Sequence, residues 1–597
     1  MPRGAGRIGW YLVWAVAFGS VGSSMYFVPG LLLQASGSGA PGVVGILSIA
    51  FLGLVTKEAE LTRRHPSGGG AVSQVREVFG ERAATLVGLL LLLDLALTVA
   101  VSVLVGVQQL EGALPPAWEA GFGRVVPGLS LAWIAIIVVL SVVGVRGLVS
   151  TGLGIGLLAL TLNAILLVTA AVRGGADPEP VTLVSHSHAT LGIGWLAFSG
   201  IEVCALLSPA MKEWGSTPTR ALTALGVAVL ATGPLLMWVT GGMPHALLRS
   251  AQLHLLPELA YQTGGPGLSL AVAAAGAGLL FFAAHAAITA SFQVQTALVH
   301  THAWPAEAIT LSNRFQTPAR AVVLAGVLSG GFLVATGADL RTLGHLYALA
   351  FTLSVGLGSA ALDVQRWQDG RRGAGTVLGG CVTILLLTGA IGVASARPGL
   401  AVGLLVLLGL LGGFTHAVRL GAWSRWLRRI PGVSPPTDVR RSDQPFATLD
   451  QLRAQAAAMG PAPRAGILVA SRGADPRVFR EAVDRAKTRG LPQVHVIYVD
   501  EVPGLLYPQH ALPTAEGLAV LASSCRTIRQ LGLEPLPVWA MSHSAASSVA
   551  EAVVACGCDT VIIGATQRTL VWQALRGRFV QDLKLALPTE VRITVVG

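Results

Sequence analysis

The chain has 597 residues, of which 53% are hydrophobic and only 12% charged, and its mean hydropathy is +0.66. Such proportions, with 73 glycines, belong to a protein that spends most of its length in lipid, and they exclude a soluble enzyme built around one large core. The net charge of +11 does not argue for a nucleic-acid partner, because the basic residues fall mostly in short segments between apolar runs, where they orient a membrane protein.

The first apolar run begins near Gly9 and carries no small-residue cleavage site, so it reads as a retained helix rather than a signal peptide. Windows of about 20 apolar residues, each long enough to span a bilayer, recur to about residue 416. They lie near 10–33, 42–61, 83–111, 128–146, 150–172, 189–210, 220–243, 267–300, 319–337, 343–363, 374–395 and 398–416. Twelve spans place both ends on one side. With the N-terminus inside, fifteen Lys and Arg residues, Lys57, Arg63, Arg64 and Arg366 among them, fall in inner segments before residue 416. Only Arg124, Arg173, Arg249, Arg341 and Arg397 fall outside, a positive-inside bias that predicts an inner-membrane protein with cytoplasmic termini.

Three of these windows carry unusual residues. The first contains Gly19-Ser20-Val21-Gly22-Ser23-Ser24, where small residues lower the cost of interrupting the helix. An interruption bares N–H groups and a half-helix N-terminus, which suit an anionic group such as a substrate carboxylate; the other reading is close helix packing. The third window holds Asp94 in an otherwise apolar run, and the sixth holds Glu202 behind a second Gly/Ser break at Phe198-Ser199-Gly200. A carboxylate at membrane depth is costly unless it faces a cavity or a partner, so two of them point to a solute or ion path. Interrupted helices at matching places in two halves are the strongest sequence pointer to a transporter site.

After Ala417 a basic, aromatic segment (Arg419, Trp423, Arg425, Trp426, Arg428, Arg429) suits the inner interface, and a Pro-containing linker follows. Strands are predicted at Gly466–Ala470, Val494–Val499, Pro537–Ala540, Thr560–Gly564 and Val591–Val596. Helices are predicted at Asp475–Arg489, Thr514–Leu531 and Ser544–Ala555 between them. That alternation predicts a cytoplasmic α/β domain with a parallel sheet. The expected division is 1–416 for the membrane domain, 417–463 for the juxtamembrane linker and 464–597 for the α/β domain. The five cysteines have neither CxxC nor finger spacing, so neither a metal site nor a disulfide framework is indicated. No Ser-His-Asp, Cys-His or P-loop lysine pattern stands out, and no catalytic role is expected.

Four segments in order carry a family resemblance. Gly19–Ser24, Pro66-Ser67-Gly68-Gly69-Gly70-Ala71, Leu93-Asp94-Leu95-Ala96-Leu97-Thr98-Val99-Ala100-Val101-Ser102 and Phe198–Glu202 with Pro209, Lys212, Pro218 and Arg220 resemble the signatures of the amino acid–polyamine–organocation (APC) superfamily. The resemblance implies a LeuT-like 5+5 inverted repeat and alternating access, with substrate held by Gly19–Ser24 and Phe198–Gly200. Two branches carry a universal-stress-protein-like C-terminal domain: amino acid permeases, and proton-coupled potassium importers regulated by a cyclic dinucleotide. Asp94, Thr98, Ser102 and Glu202 fit the second branch, but helix 1 has no acid and Leu95 stands where that branch has Tyr. A glycine-rich helix 1 without an acid suits a ligand that brings its own carboxylate, so amino acid transport is the leading expectation.

No cofactor is required on this reading. The coupling ion is a proton carried on Glu202 or Asp94, with His285 as a further titratable candidate; Thr289 and Ser291 offer an alternative sodium site. Helix 5 has no Lys, and Asn163 is its most polar residue. The Pro66–Ala71 loop is read as a gate or hinge. Gly564 and Gly577-Arg578 resemble the phosphate loop of universal stress proteins, with Gln567 and Arg578 as departures, while Arg472, Arg568, Arg576 and Arg578 offer grip for a phosphate or cyclic dinucleotide. Related domains pair, so a homodimer through this part is expected; a membrane-tethered nucleotide sensor is the competing class.

Overall fold

In the computed structural model the described residues are 8–66, 68–111, 116–144, 148–173, 188–213, 215–243, 254–309, 317–420, 446–459, 465–470, 472–473, 475–501, 515–542, 544–564 and 579–596. The membrane part opens with α1 (Trp10–Ser23), a 3-10 turn at Ser24–Tyr26 and α2 (Val28–Ser36), which together form one apolar span bent by 41°. There follow α3 (Ala40–Arg64), α4 (Gly70–Phe79), α5 (Glu81–Glu111), α6 (Pro116–Val143) and α7 (Leu148–Arg173). The sixth window is α8 (His188–Trp195), a 3-10 turn at Leu196–Phe198 and the short α9 (Glu202–Leu206). Then come α10 (Thr217–Gly241), α11 (Leu255–Gly264), α12 (Pro266–His300), α13 (Ala319–Ala335), α14 (Leu340–Gln368), α15 (Ala374–Ala396) and α16 (Pro398–Arg419).

Among the described residues nine helices are long and apolar enough to cross a membrane, ten with the bent pair. The two remaining windows fall on α13, which has only 17 residues, and on the broken α8–α9 segment. Burial sorts the helices by depth in the bundle. The apolar window of α5 is 100% buried, so α5 runs through the middle with α12 and α14 against it; that of α16 is 11% buried and lies at the rim. A helix apolar on every side must be wrapped by others, which is what places Asp94 in the interior.

The C-terminal part consists of β1 (Ala447–Thr448), α17 (Leu449–Met459), β2 (Gly466–Ala470), α18 (Pro476–Thr488), β3 (Gln493–Glu501), α19 (Ala515–Gln530), β4 (Glu534–Ser542), α20 (Ala545–Ala555), β5 (Cys558–Gly564), α21 (Phe579–Ala586) and β6 (Arg592–Val596). All strand pairs are parallel, in the order β1-β4-β3-β2-β5-β6. Side chains alternate faces along a strand. Leu468, Ile497 and Val561 join one buried cluster, while Ile467, Val469, Val496 and Ile562 join another on the opposite face. A sheet covered on both faces explains the nearly continuous apolar strands.

The expected strands and helices are present with shifted ends, β3 and β4 each being longer than read. Regular structure enters the expected linker 417–463 from both ends. α16 continues to Arg419, while β1 and α17 extend the α/β fold back to residue 447. Two residues of β1 are too few for a periodic signal; only its register against Val538 and Trp539 reveals it. Trp423, Arg425, Trp426, Arg428 and Arg429 lie outside the described residues.

Candidate binding site at two broken helices

The first break sits at the C-terminal end of the Gly/Ser run. Ser23 turns its hydroxyl back to donate to Ser20 O at 2.7 Å, and a helical Ser bonded in this way weakens the backbone ladder. Phe27 (φ −129°, ψ −29°) leaves the helix, and Pro29 starts α2 in its first turn, where a missing N–H costs nothing. The carbonyl of Tyr26 freed by the break accepts from Gln109 Nε2 at 3.2 Å, and the Tyr26 hydroxyl donates to Asn163 Oδ1 at 3.2 Å. Asn163 therefore supports this break from the neighbouring α7. Gly19 plays a packing role: a Cβ there would lie 2.5 Å from the ring of Phe282.

The second break is sharper. Ser199 is extended (φ −67°, ψ 152°) and Gly200 has φ +93°, a backbone conformation that side chains disfavour. A Cβ on Gly200 would stand 2.7 Å from Ser20 Cβ and 2.9 Å from its carbonyl carbon, so the second break is pressed against the last turns of α1. Ser24 and Ser199 hydroxyls are 3.2 Å apart across the same junction. The Gly200 N–H, released by the break, donates to Glu202 Oε2 at 3.0 Å. Glu202 thus closes the end of its own broken helix, and its other oxygen, Oε1, is buried without a partner among the described residues.

Asp94, fully buried on α5, faces this junction. Its Oδ2 accepts from Ser354 on α14 at 3.4 Å, and Oδ1 has no partner among the described residues. Asp94 and Glu202 lie within reach of each other's charge, and so do Glu58 on α3 and Glu202; Glu58 Oε2 is likewise buried and unpartnered. Tyr347 on α14 feels both acids and interacts with the hydroxyls of Ser199 and Thr98. The Ser20 hydroxyl is a fourth buried group without a partner among the described residues. Buried polar atoms in native proteins are nearly always satisfied, so four at one junction mark a place built for something mobile: solute, ion, proton or water.

Several expected residues stand elsewhere or turn inward on themselves. Thr98 donates to Asp94 O (2.9 Å), Thr289 to His285 O (2.9 Å) and Ser291 to Ile288 O (2.7 Å), each within its own helix. His285 Nδ1 meets Ser141 on α6 at 2.9 Å rather than a carboxylate. Ser102 and Val21 are buried near the bundle axis on α5 and α1. Glu58, Tyr347 and Ser354 were not singled out from sequence. Glu58 sits in Lys57-Glu58-Ala59-Glu60, which reads as a polar helix end, and α14 offers no helix break to draw attention.

Lys57 also needs a correction, since it is not in a loop. It is 2% exposed within α3 and its ammonium donates to Asp363 Oδ2 (2.6 Å), Ser359 Oγ (2.6 Å), Gly379 O (2.8 Å) and Thr383 Oγ1 (2.8 Å). Arg366, also counted as a loop charge, is buried and paired with Glu60 at 2.7 Å. These contacts clamp α3, α14 and α15 together on the side where α3 ends. On that side Gly68, Gly69 and Gly70 all have positive φ and lead into α4, a helix not expected from sequence. Beside it a cavity of about 320 Å³ is lined by Gly68, Ser73, Arg76, Gln293, Thr296 and His300. Ser67 of the expected gate lies outside the described residues.

In the α/β part, Arg472 lies 4.0 Å from Glu501, so an acid already neighbours this expected phosphate contact. Asp500, fully buried, accepts from Trp539 Nε1 at 2.8 Å. Burial pushes the Cys556 thiol up to about 11 and the Cys558 thiol higher still, so both stay protonated and unreactive. Gly564 ends β5, while Gln567, Arg568, Arg576, Gly577 and Arg578 lie outside the described residues, as does Ser471. Among the described residues no cluster of His, Cys, Asp and Glu is arranged to hold a metal.

A bundle of apolar helices with a polar, partly unsatisfied junction between two interrupted spans defines a multi-pass membrane protein with a solute path rather than a catalyst. Residues 8–412 match the family model described as amino acid permease, and the chain belongs to that family. It is accordingly a transporter of amino acids or similar solutes, not an enzyme. No curated protein matches the sequence. Among solved structures, the universal stress protein from Archaeoglobus fulgidus is similar to 22% of this chain over 98% of its own length, at 18% identity and a TM-score of 0.18.

Proposed function

We propose that the protein is a proton-coupled secondary transporter of amino acids or related carboxylate-bearing solutes, working by alternating access between two five-helix halves of a twelve-span bundle. The observation that carries this reading is the contact of the two breaks at Ser24 and Ser199, beside Asp94, Glu202 and Glu58. The buried Ser20 hydroxyl, with no partner among the described residues, is a donor for a substrate carboxylate, and the acids supply a counter-charge for its ammonium. Three carboxylates held together away from water repel one another, so a proton or a cation is needed to settle the cluster. Proton coupling follows when that proton enters and leaves with the solute. In this reading Gly19 and Gly22 give room for the break, while Ser20, Ser23 and Ser24 line it.

A second reading, a potassium importer, draws on the same carboxylates with the hydroxyls of Thr98, Tyr347 and Ser354 as hard oxygen ligands. The α/β domain is regulatory in both readings, and its pairing would make the protein a homodimer. The test is uptake in proteoliposomes under an imposed proton gradient, comparing labelled amino acids with rubidium. Amino acid accumulation that an uncoupler collapses, and that falls at least tenfold in Asp94→Asn and in Glu202→Gln, is the expected result. Rubidium uptake without amino acid uptake selects the potassium reading, and normal transport in both variants removes the site.

A further inference from the structure

A second cavity, of about 170 Å³, lies on the face of the bundle opposite α4, where α2 ends and α14 begins. It is lined by Gln34 of α2, Ile193 of α8, Arg341, Gly344 and His345 of α14, and Arg397 in the turn between α15 and α16. Its walls are therefore α2 of the first broken helix, α8 of the second and the start of α14. α14 is pressed onto α2 at this level, since a Cβ on Gly344 would lie 2.8 Å from Leu31 Cδ1. At about 1.5 Å rise per residue, Tyr347 stands only some 9 Å along α14 from Arg341, and Ser354, which donates to Asp94, lies some 20 Å from it. One helix thus lines both this cavity and the central junction.

The charge of the cavity is one-sided. Arg341 Nε donates to Gln34 Oε1 at 2.9 Å, and its terminal amino groups have no acceptor among the described residues. The side chain of Arg397 has neither an ion-pair nor a hydrogen-bond partner among them. His345 Nδ1 donates to Arg341 O at 2.7 Å. The neighbouring acid, Asp339, lies outside the lining and caps α14, accepting from Arg341 N, Thr342 N and Thr342 Oγ1 at 3.4, 3.0 and 2.6 Å. Its charge reaches Arg341 and His345 and offsets part of theirs, leaving Arg397 to set the sign. Arg341 and Arg397 are both exposed, at the rim of the cavity. Guanidinium groups offer paired N–H donors that match a carboxylate, and two at one rim raise the local concentration of anions and repel cations. The cavity beside α4, at the other end of the path, is lined by Arg76 and His300 and also has no carboxylate in its lining.

We propose that this cavity is a carboxylate-binding entry site, in which Arg341 and Arg397 capture the carboxylate of a zwitterionic or anionic solute above the central junction. The inference rests on the proposed transport of such solutes and adds its charge preference: acidic before neutral, with cations excluded. Two measurements on the full chain test it. The first is initial uptake of labelled glutamate, alanine and lysine by Arg341→Gln/Arg397→Gln and by the charge-preserving Arg341→Lys/Arg397→Lys. The expected result is a KM raised at least tenfold for glutamate and less for alanine in the Gln pair, with kcat within twofold and much of the loss recovered in the Lys pair. An unchanged KM overturns the proposal, as does an equal loss in both pairs. The second is stabilisation of the detergent-purified protein by glutamate in an Asp94→Asn/Glu202→Gln background, where the central site is disabled. A rise in melting temperature that vanishes when Arg341 and Arg397 are also changed to Gln supports the entry site even where no amino acid is transported. Absence of that rise overturns it, whatever the transport result.

Discussion

At the scale of single residues, the junction depends on one backbone conformation. Gly200 combines a positive φ with a contact closer than any side chain allows, so Gly200→Ala meets two penalties. The left-handed backbone alone costs about 1–2 kcal/mol for a residue with a Cβ. The clash with Ser20 adds to this and moves the two breaks apart. The expected outcome is loss of at least nine-tenths of uptake with a lower melting temperature in detergent; wild-type uptake by this variant would show that the breaks need not touch. Ser199→Ala is a milder change, because the Ser199 backbone N–H also donates to Leu196 O, at 3.2 Å, and keeps the turn in place without the hydroxyl. It should shift KM several-fold with little effect on melting, and flux assays with a thermal ramp separate the two effects.

Among the elements, the clamp on Lys57 fixes how α3, α14 and α15 sit against one another. Its ammonium has more acceptors than donors to give, so it is fully satisfied despite burial. Removing one partner of a buried ion pair typically costs about 3–5 kcal/mol, whereas replacing both by apolar groups is often close to neutral. Lys57→Met should therefore lower the melting temperature strongly, and Lys57→Met/Asp363→Leu should recover much of the loss. If the double variant is as unstable as the single, the hydroxyls of Ser359 and Thr383 contribute more than the charge pair. α14 is the element that links everything: it carries Asp363 in the clamp, Ser354 and Tyr347 at the junction, and Arg341 at the far cavity. A rotation or tilt of α14 would alter all three regions together.

For the whole molecule, chain alternation makes a directional prediction. Thr336, between α13 and α14, and Arg372, between α14 and α15, must lie on opposite faces, with Arg372 on the side of the C-terminal domain. In a Cys381→Ser background, which removes the exposed cysteine, Thr336→Cys should react with a membrane-impermeant maleimide on intact cells and Arg372→Cys only after permeabilisation. Reversed labelling would invert the proposed orientation. Residues 446–597 hold two buried clusters of their own, one on each face of the sheet, and should fold when expressed alone, with mixed α/β circular dichroism and a cooperative melt. A monomeric peak in size-exclusion chromatography would remove the proposed pairing through this domain.

Composition and apolar periodicity by themselves determined that the protein is a membrane bundle followed by a parallel α/β domain, because lipid demands long apolar helices and a doubly covered sheet demands short apolar strands. Sequence also located both helix breaks and the two acids Asp94 and Glu202, since Gly/Ser runs and lone carboxylates stand out against an apolar background. Only the tertiary structure decided who meets whom. Glu58, Tyr347 and Ser354 look ordinary along their helices and meet the junction through packing, while Thr289 and Ser291 bond their own backbone and His285 meets Ser141. Lys57 reads as a loop cation and is instead a buried clamp. The physical reason is common to all of them: in a bundle, a side chain's role is set by the face that its helix turns to its neighbours, and that rotation is fixed by contacts between segments hundreds of residues apart.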